Sequence, residues 1–175
     1  MRLLTRARNG AVGFGAFISR SGGSAVTDKS WTAECENRIR ASFAKQGLMA
    51  TLGATLGRVE PGRVEIELTP KPAISQQHGF VHAGAVSAIA DSAAGYATLS
   101  LLPLDTSVLT TEFKINLIAP AVGDRIVARG EVVKAGRTLT IAQTRVVAVT
   151  GGTEKLVALL VATMMAIRDR DDVCE

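Results

Sequence analysis

The sequence predicts an α+β domain in which one antiparallel sheet wraps around a central helix. Three observations carry this prediction: an almost uncharged helical stretch over about residues 84–101, strand-like runs before and after it, and turn residues between those runs. An uncharged helix has to be covered on nearly all sides. Short connections between successive strands favour antiparallel pairing.

The bulk composition bounds the class of protein. A chain of 175 residues fits one domain of ordinary size, and 47% hydrophobic but only 4% aromatic residues require an aliphatic core. No run reaches the roughly 18 to 20 consecutive apolar residues that a transmembrane helix needs. The two cysteines, Cys35 and Cys174, form no CxxC motif. We therefore expect reduced thiols in a cytoplasmic protein without a membrane span. We also expect no metal site, because the chain has only two histidines and they do not pair with a cysteine.

The net charge of +4 comes from the beginning of the chain. Residues 1–27 contain four arginines and no acidic residue. Removing these four from the 20 basic residues leaves 16 basic against 16 acidic residues, so the remainder is neutral. A neutral body without clustered basic and aromatic residues is not suited to a phosphate backbone, and we expect no nucleic-acid partner.

Residues 1–27 are rich in Gly, Arg and Ser and are predicted to lie outside the folded domain. They fit a flexible leader or an extension from a start site placed too far upstream. They also fit a mitochondrial transit peptide, and less well a secretory signal, whose apolar run Gly and Arg would interrupt. The domain is predicted over residues 28–170, with a tail at 171–175. The expected location becomes mitochondrial if the leader is a transit peptide.

An amphipathic helix is predicted over residues 30–47. Asp28 or Ser30 is the expected cap, and Gly47 is expected to end the helix. Its apolar positions recur at helical spacing: Trp31, Cys35, Ile39 and Phe43.

Strands are predicted on both sides of the central helix. A β-hairpin is expected over residues 54–69, because charged and apolar residues alternate after the turn signal Pro61-Gly62. A loop follows at 70–83. The runs after the helix cover residues 107–118, 124–134, 138–149 and 154–168. In the first of them, strict alternation groups one set of side chains on one face: Leu109, Thr111, Phe113, Ile115 and Leu117.

Asp91 is the only charged residue of the central helix. Burying a carboxylate without a partner is unfavourable, and Asp is a mediocre helix former. Two interpretations stay open on this pattern alone: a catalytic carboxylate, and a structural Asp satisfied by backbone donors or by a subunit contact.

The start of this helix is suited to binding an anion. Gly84 opens the helix, so the backbone amides near Ala83 and Gly84 are expected to be free. Free amides and the helix dipole stabilise negative charge and are able to form an oxyanion hole. His82 and Gln76 lie on the same approach.

The spacing between the two candidate groups predicts a site shared between subunits. Residues 83 and 91 are separated by roughly 12 Å along a helix and about 80° around it. One helix therefore cannot direct both groups at the same carbonyl carbon, whereas two antiparallel helices at a dimer interface can. Small residues share a stripe with Asp91 and permit close approach of a partner: Gly84, Ala88 and Gly95.

The stretch QQHGFVHAGAVSAIADSAAGYA resembles the signature of PaaI-like thioesterases of the hot-dog superfamily. Gly79, His82, Asp91 and Gly95 match that signature in type and spacing. The later segments VLTTEFKINLIAPA and KAGRTLT are also similar, and the resemblance covers roughly residues 31–168. It implies the hot-dog fold and hydrolysis of an acyl-CoA thioester to a free acid and CoA, without a metal or redox cofactor.

The resemblance also implies roles for individual residues. Asp91 corresponds to the general base or nucleophile, the amide of Ala83 to the oxyanion donor, and His82 to the residue that orients the loop. Thr110 corresponds to a hydroxyl residue that assists from the following strand. Substrate contacts are implied for the loop glycine and for residues near the CoA phosphates: Gly79, Gly136, Arg137 and Thr138.

Two positions depart from the signature. Gln76 stands where the family has Asn, and Ala83 stands where it has Gly. A backbone amide survives the change from Gly to Ala if its φ is negative, so the oxyanion role is retained.

Two other functions stay open at this point. A hydratase or dehydratase of the same fold would use the His82 and Asp91 pair for proton transfer at carbon. A non-catalytic acyl-CoA-binding domain would use the fold without the chemistry. In each case we expect a homo-oligomer, either a dimer or a dimer of dimers.

Overall fold

The computed structural model describes residues 31–168, which form two short helices, a six-stranded sheet and one long helix. The predicted leader and tail lie outside these residues. The elements before the long helix are α1 (Ala33–Lys45), α2 (Gly47–Leu52), β1 (Ala54–Glu60), β2 (Arg63–Leu68) and a 3₁₀ turn at Pro72–Ile74. The long helix is α3 (Ala83–Leu99). It is followed by four strands: β3 (Ser107–Leu117), β4 (Arg125–Lys134), β5 (Leu139–Thr150) and β6 (Thr153–Ile167). The α+β prediction is confirmed. Within the described part of the chain, no helix combines the length and apolar character that crossing a membrane requires.

The sheet is antiparallel throughout, in the order β1-β2-β4-β5-β6-β3. Strands that follow one another pair as predicted, except at β3. This strand pairs with β6 and forms one edge of the sheet, while β4 pairs with β2. The general expectation that successive strands pair therefore fails for β3 and β4, because the connection over residues 118–124 is long enough to pass the ends of β5 and β6.

The helix predicted over residues 30–47 is present as α1, but the prediction that Gly47 ends it was wrong. α1 ends at Lys45, and Gln46 adopts an extended conformation with ψ of 100°. Gly47 begins α2 instead of ending α1. The N-cap is Thr32, whose side chain accepts a hydrogen bond from the amide of Cys35, while the predicted caps Asp28 and Ser30 lie outside the described residues.

The long helix α3 packs closely against the middle of the sheet. Gly130 on β4 lies beneath it, and a Cβ added at this position would overlap the backbone of Ala93. On β5, Thr144 is the register partner of Gly130, and its hydroxyl donates a 2.8 Å hydrogen bond to the carbonyl of Ala90. The absence of a side chain at Gly130 therefore sets the distance between helix and sheet, and Thr144 holds the helix there.

The expectation that α3 is covered on nearly all sides holds for only part of its surface. Ile89, Ala90 and Ala93 are completely buried by the sheet. The small-residue stripe stays accessible in the single chain, because the sheet lies on the opposite side: Gly84 is exposed, and Ala88, Asp91 and Gly95 are half-buried.

A β-bulge interrupts the alternation predicted for β3. The register with β6 shifts between Thr110 and Glu112, which leaves Thr111 as the extra residue. Thr110 and Phe113, three residues apart, both pair with completely buried residues of β6, so both face the helix side. The predicted grouping of Leu109 with Phe113 on one face was therefore wrong, since a bulge shifts the alternation by one residue.

We expect Gly130→Ala to destabilise the protein by about 1–3 kcal/mol or more, because the added methyl group forces α3 away from the sheet. Gly57→Ala on β1 is the matched control. A Cβ at Gly57 approaches Glu65 no closer than 3.4 Å, so we expect a change within about 0.5 kcal/mol. Urea unfolding of both variants measures the difference, and equal stability would show that the helix does not depend on this contact.

Candidate active site

Asp91 lies in the middle of α3, where its carboxylate is held by the edge strand. The Thr110 hydroxyl donates a 2.9 Å hydrogen bond to Asp91 Oδ1 and also lies 3.3 Å from the Met164 sulfur. Burial raises the pKa of Asp91 above its ordinary value, and the hydrogen bond from Thr110 opposes this rise. No Lys, Arg or His within residues 31–168 forms an ion pair with this carboxylate. The group therefore has the environment of a base with raised proton affinity.

The carboxylate opens into a small polar cavity that the sequence did not predict. This cavity has a volume of about 140 Å³ and lies between α1, α3 and the start of β3. Gln46 donates a 2.8 Å hydrogen bond to the Tyr96 hydroxyl and accepts one of 3.3 Å from Ser92, and Ser42 lies 3.2 Å from the same Tyr96 hydroxyl. One signal was present in the sequence: Ser42 and Gln46 are four residues apart, as are Ser92 and Tyr96, the spacing of neighbours on a helix face.

The loop before α3 is held by its own backbone and by His82. The amide of Gln76 donates to the carbonyl of Phe80, and Gly79, with φ of 83°, donates to the carbonyl of Gln76. The side chain of Gln76 accepts a hydrogen bond from the amide of His78. These bonds form a tight turn that requires a residue such as Gly at position 79.

His82 is the N-cap of α3, and this changes the expected set of free amides. Its ring Nδ1 accepts a 2.9 Å hydrogen bond from the amide of Gly84. The expectation that the Gly84 amide is free was therefore wrong, because a side-chain cap satisfies it. Among residues 31–168, the amide of Ala83 has no acceptor, which leaves it available at the positive end of the helix.

The Ala83 end of the helix opens into a second cavity, whose wall is mostly apolar. Its volume is about 350 Å³, and it lies between the loop, the start of α3 and the end of β3. Gln76 is the single polar side chain in its wall. The rest of the wall is apolar and includes Phe80, Val86, Leu117, Ile118 and Ala119.

The two candidate catalytic groups do not meet within one chain. Ala83 lines the apolar cavity, and Asp91 lines the polar cavity. They lie on one continuous helix, where eight residues span roughly 12 Å. His82 directly precedes Ala83, so it is separated from Asp91 by a similar distance along the helix and does not meet it within one chain. One subunit alone therefore does not bring the amide donor and the carboxylate to a common point.

The remaining predicted residues lie in the turn between β4 and β5. Gly136, Arg137 and Thr138 are exposed, and the carbonyl of Thr138 accepts a 2.9 Å hydrogen bond from the amide of Ala166. Ala166 is in turn the register partner of Val108, which lines the polar cavity. The turn therefore lies at the same end of the sheet as Asp91, about two strand spacings from Val108.

A groove on the outer face of the sheet is a weaker candidate site. It has a volume of about 240 Å³ and a charged wall in which arginines are paired with glutamates. Arg63 pairs with Glu131 at 2.7 Å, and Arg129 pairs with both Glu65 and Glu154. Such exposed pairs are typical of a solvated sheet face. In residues 31–168, no three His, Cys, Asp or Glu side chains are grouped as a metal site requires.

Comparisons with known proteins agree with this fold. Residues 78–155 match the sequence profile of the Thioesterase superfamily. A thioesterase family protein from Silicibacter pomeroyi is 48% identical, with a TM-score of 0.75, and the match covers 77% of this chain and 98% of that one. The Escherichia coli PaaI protein, from the phenylacetic acid degradation operon, has a similar fold at 20% identity, with a TM-score of 0.71 over 79% of this chain and 96% of its own. The predicted hot-dog fold and the PaaI-like resemblance are thereby confirmed.

A curated relative is, by its name, also a hydrolase of a CoA thioester. The 1,4-dihydroxy-2-naphthoyl-CoA hydrolase of Listeria monocytogenes is 24% identical over 124 residues, which covers 71% of this chain and 98% of that protein. Its name states a CoA thioester as the substrate of that enzyme.

The geometry at Asp91 predicts how its pKa responds to substitution. Thr110→Val removes the hydrogen bond that stabilises the carboxylate, so we expect the pKa of Asp91 to rise further. Thr110→Ser retains a hydroxyl and is the matched control, with a pKa close to that of the unchanged protein. Carbon-13 NMR of the labelled carboxyl group measures both. A lower or unchanged pKa in Thr110→Val would show that the bond does not act on the ionised form.

Proposed function

This chain belongs to the thioesterase superfamily and is a thioester hydrolase, and we propose that it hydrolyses an acyl-CoA to a free acid and CoA with Asp91 as the catalytic carboxylate. The observation that carries this proposal is the environment of Asp91. Its side chain is half-buried on an otherwise uncharged helix, bonded to Thr110, and open to a cavity. A purely structural Asp in this fold would be expected to accept several backbone hydrogen bonds, and its oxygens accept none from backbone amides of residues 31–168.

Two routes for Asp91 lead to the same products. As a general base, the carboxylate takes a proton from water while the water oxygen attacks the thioester carbon. As a nucleophile, it attacks that carbon itself, and water then hydrolyses the resulting anhydride. In both routes the carbon–sulfur bond breaks, CoA leaves as the thiolate and takes up a proton, and the acid is released.

The developing negative charge requires a hydrogen-bond donor on the other side of the carbonyl. The amide of Ala83 is available for this role and lies at the positive end of α3. His82 supports it indirectly, since its ring caps Gly84 and holds the start of the helix.

We further propose that each site is formed by two chains. The outer edge of β3 has no strand beside it within the described residues, and its helix-side residues Phe113 and Leu117 are 45% and 54% exposed. Two copies of an edge strand related by a two-fold axis pair antiparallel. The Leu117 end of one β3 then lies beside the Thr110 end of the other.

This pairing joins the two cavities. Leu117 lines the apolar cavity with Ala83, and Thr110 lines the polar cavity with Asp91. The dimer therefore brings the Ala83 amide of each chain toward the Asp91 of its partner. The accessible stripe of Gly84, Ala88 and Gly95 permits the close approach of the two helices that this arrangement requires.

We expect Asp91→Asn to lower kcat/KM by about 10²–10⁴-fold or more, because the amide neither accepts the proton nor attacks the carbonyl. Burial makes the ionised carboxylate unfavourable, so the neutral amide should leave the melting temperature at pH 7 unchanged or higher. Thiol release from short-chain, aromatic and long-chain acyl-CoAs measures the activity.

Asp105→Asn is the matched control, since Asp105 is exposed and lines neither cavity. It should retain the activity of the unchanged protein. Wild-type hydrolysis by Asp91→Asn would remove Asp91 from the mechanism, and binding without hydrolysis by the unchanged protein would favour a non-catalytic acyl-CoA-binding domain.

A further inference from the structure

The polar network beside Asp91 determines which molecule attacks the thioester. Resting on the proposed function, we propose that Ser92, oriented by Gln46, makes water the acyl acceptor of this enzyme and excludes alcohols. Ser92 then contacts the attacking molecule, and Gln46 is a positioning residue that acts through Ser92. Of the two routes described above, the reaction follows the one in which Asp91 is the general base.

The polar cavity is suited to water molecules. Its volume is about 140 Å³, and a molecule of liquid water occupies roughly 30 Å³, so there is room for a few of them. A buried water molecule needs two to four polar partners. Beside Asp91, the wall supplies the hydroxyl groups of Ser42, Ser92 and Tyr96 and the side-chain amide of Gln46.

One oxygen of the Asp91 carboxylate is available to a water molecule in this cavity. Oδ1 accepts the 2.9 Å hydrogen bond from the Thr110 hydroxyl. Oδ2 accepts no hydrogen bond from residues 31–168, and it is not a fully buried atom. Thr110 therefore holds one oxygen in place, and the other is left to take a proton from water.

The hydrogen bonds of Gln46 fix the direction in which Ser92 bonds. Gln46 Nε2 donates a 2.8 Å hydrogen bond to the Tyr96 hydroxyl, and Gln46 Oε1 accepts one of 3.3 Å from the Ser92 hydroxyl. A serine hydroxyl has one hydrogen to donate. Because Ser92 gives this hydrogen to Gln46, its oxygen acts only as an acceptor toward a molecule in the cavity.

Two neighbouring acceptors select a molecule that has two hydrogens to donate. Ser92 follows Asp91 in the chain, and both line the polar cavity. Water donates one hydrogen to Asp91 Oδ2 and the other to Ser92 Oγ, which leaves a lone pair of its oxygen to attack the thioester carbon. An alcohol has one hydroxyl hydrogen, so it leaves one of these acceptors without a donor, which is unfavourable.

The attack moves two hydrogens and exchanges one bond at the thioester carbon. The water oxygen bonds to this carbon while Asp91 takes the first hydrogen as a proton. The carbon–sulfur bond breaks, CoA leaves as the thiolate, and the proton held by Asp91 passes to it. The second hydrogen of the water, which Ser92 accepts as a hydrogen bond, stays on the released acid until the acid ionises.

Turnover in water that contains methanol tests this inference, because hydrolysis gives the acid and methanolysis gives the methyl ester. The substrate is the short-chain, aromatic or long-chain acyl-CoA that the unchanged protein hydrolyses fastest. We expect the unchanged protein to form almost only the acid. Ser92→Ala removes the second acceptor, so it should lower kcat by about tenfold, leave KM within about twofold, and raise the ratio of ester to acid by about tenfold.

Gln46→Leu tests the positioning role. It frees the Ser92 hydroxyl to donate, so it should lower kcat and raise the ester-to-acid ratio as Ser92→Ala does. Added to Ser92→Ala, it should cause little further change, because a residue that acts through Ser92 has no effect without it. Thr51→Val is the matched control, since this hydroxyl bonds only the Gly47 carbonyl of its own helix and lines neither cavity.

Three results would overturn the inference while thioester hydrolysis itself stands. The first is a loss of activity in Ser92→Ala with an unchanged ratio of ester to acid. The second is a further loss when Gln46→Leu is added to Ser92→Ala. The third is oxygen-18 from labelled water in the Asp91 carboxylate after turnover, which would show that Asp91 attacks as the nucleophile. If the unchanged protein hydrolyses no acyl-CoA, the proposed function fails and this inference fails with it.

Discussion

The close contact between α3 and the sheet fixes the arrangement of the whole site. Gly130 lets the helix approach until its backbone touches the strand, and the hydroxyl of Thr144 binds the helix carbonyl of Ala90. These contacts decide which side of the helix is buried. The opposite side, with Gly84 and Asp91, is left accessible along one stripe. A small rotation of α3 would bury the carboxylate or expose it to water, so the chemistry depends on a contact made on the far side of the helix.

The bulge in β3 also determines the geometry at Asp91, because it sets which side chains of this strand face the helix. Regular alternation would turn Thr110 and Phe113 to opposite faces, whereas the bulge turns both toward the helix. Thr110 thereby reaches the Asp91 carboxylate and favours its ionised form. The same strand forms one edge of the sheet within residues 31–168, so the segment that supports the carboxylate is also the segment that pairs with a second chain in our proposal. Catalysis and assembly are then linked through one strand.

The sequence predicted the elements better than their partners. Periodicity and turn residues located the hairpin, the central helix and all four later strands, because these are local signals. It did not predict that β3 pairs with β6 or that the first helix ends at Gln46. It also did not predict that the His82 ring accepts a hydrogen bond from the amide of Gly84. These features depend on contacts between distant parts of the chain or on the orientation of one side chain. The lone charge of Asp91 was visible in the sequence, whereas the polar cavity around it depends on how α1 packs against α3.

The central claim is that each site takes its carboxylate from one chain and its amide donor from the other. Mixing an Asp91→Asn chain with an Ala83→Pro chain tests it most directly. Ala83 is the first residue of α3, where proline is tolerated and removes only the amide donor. Each variant alone should be inactive, and each mixed dimer should recover about half of the wild-type activity, because one of its two sites has both groups intact. Mixed dimers that form and stay inactive would show that each chain carries its own complete site.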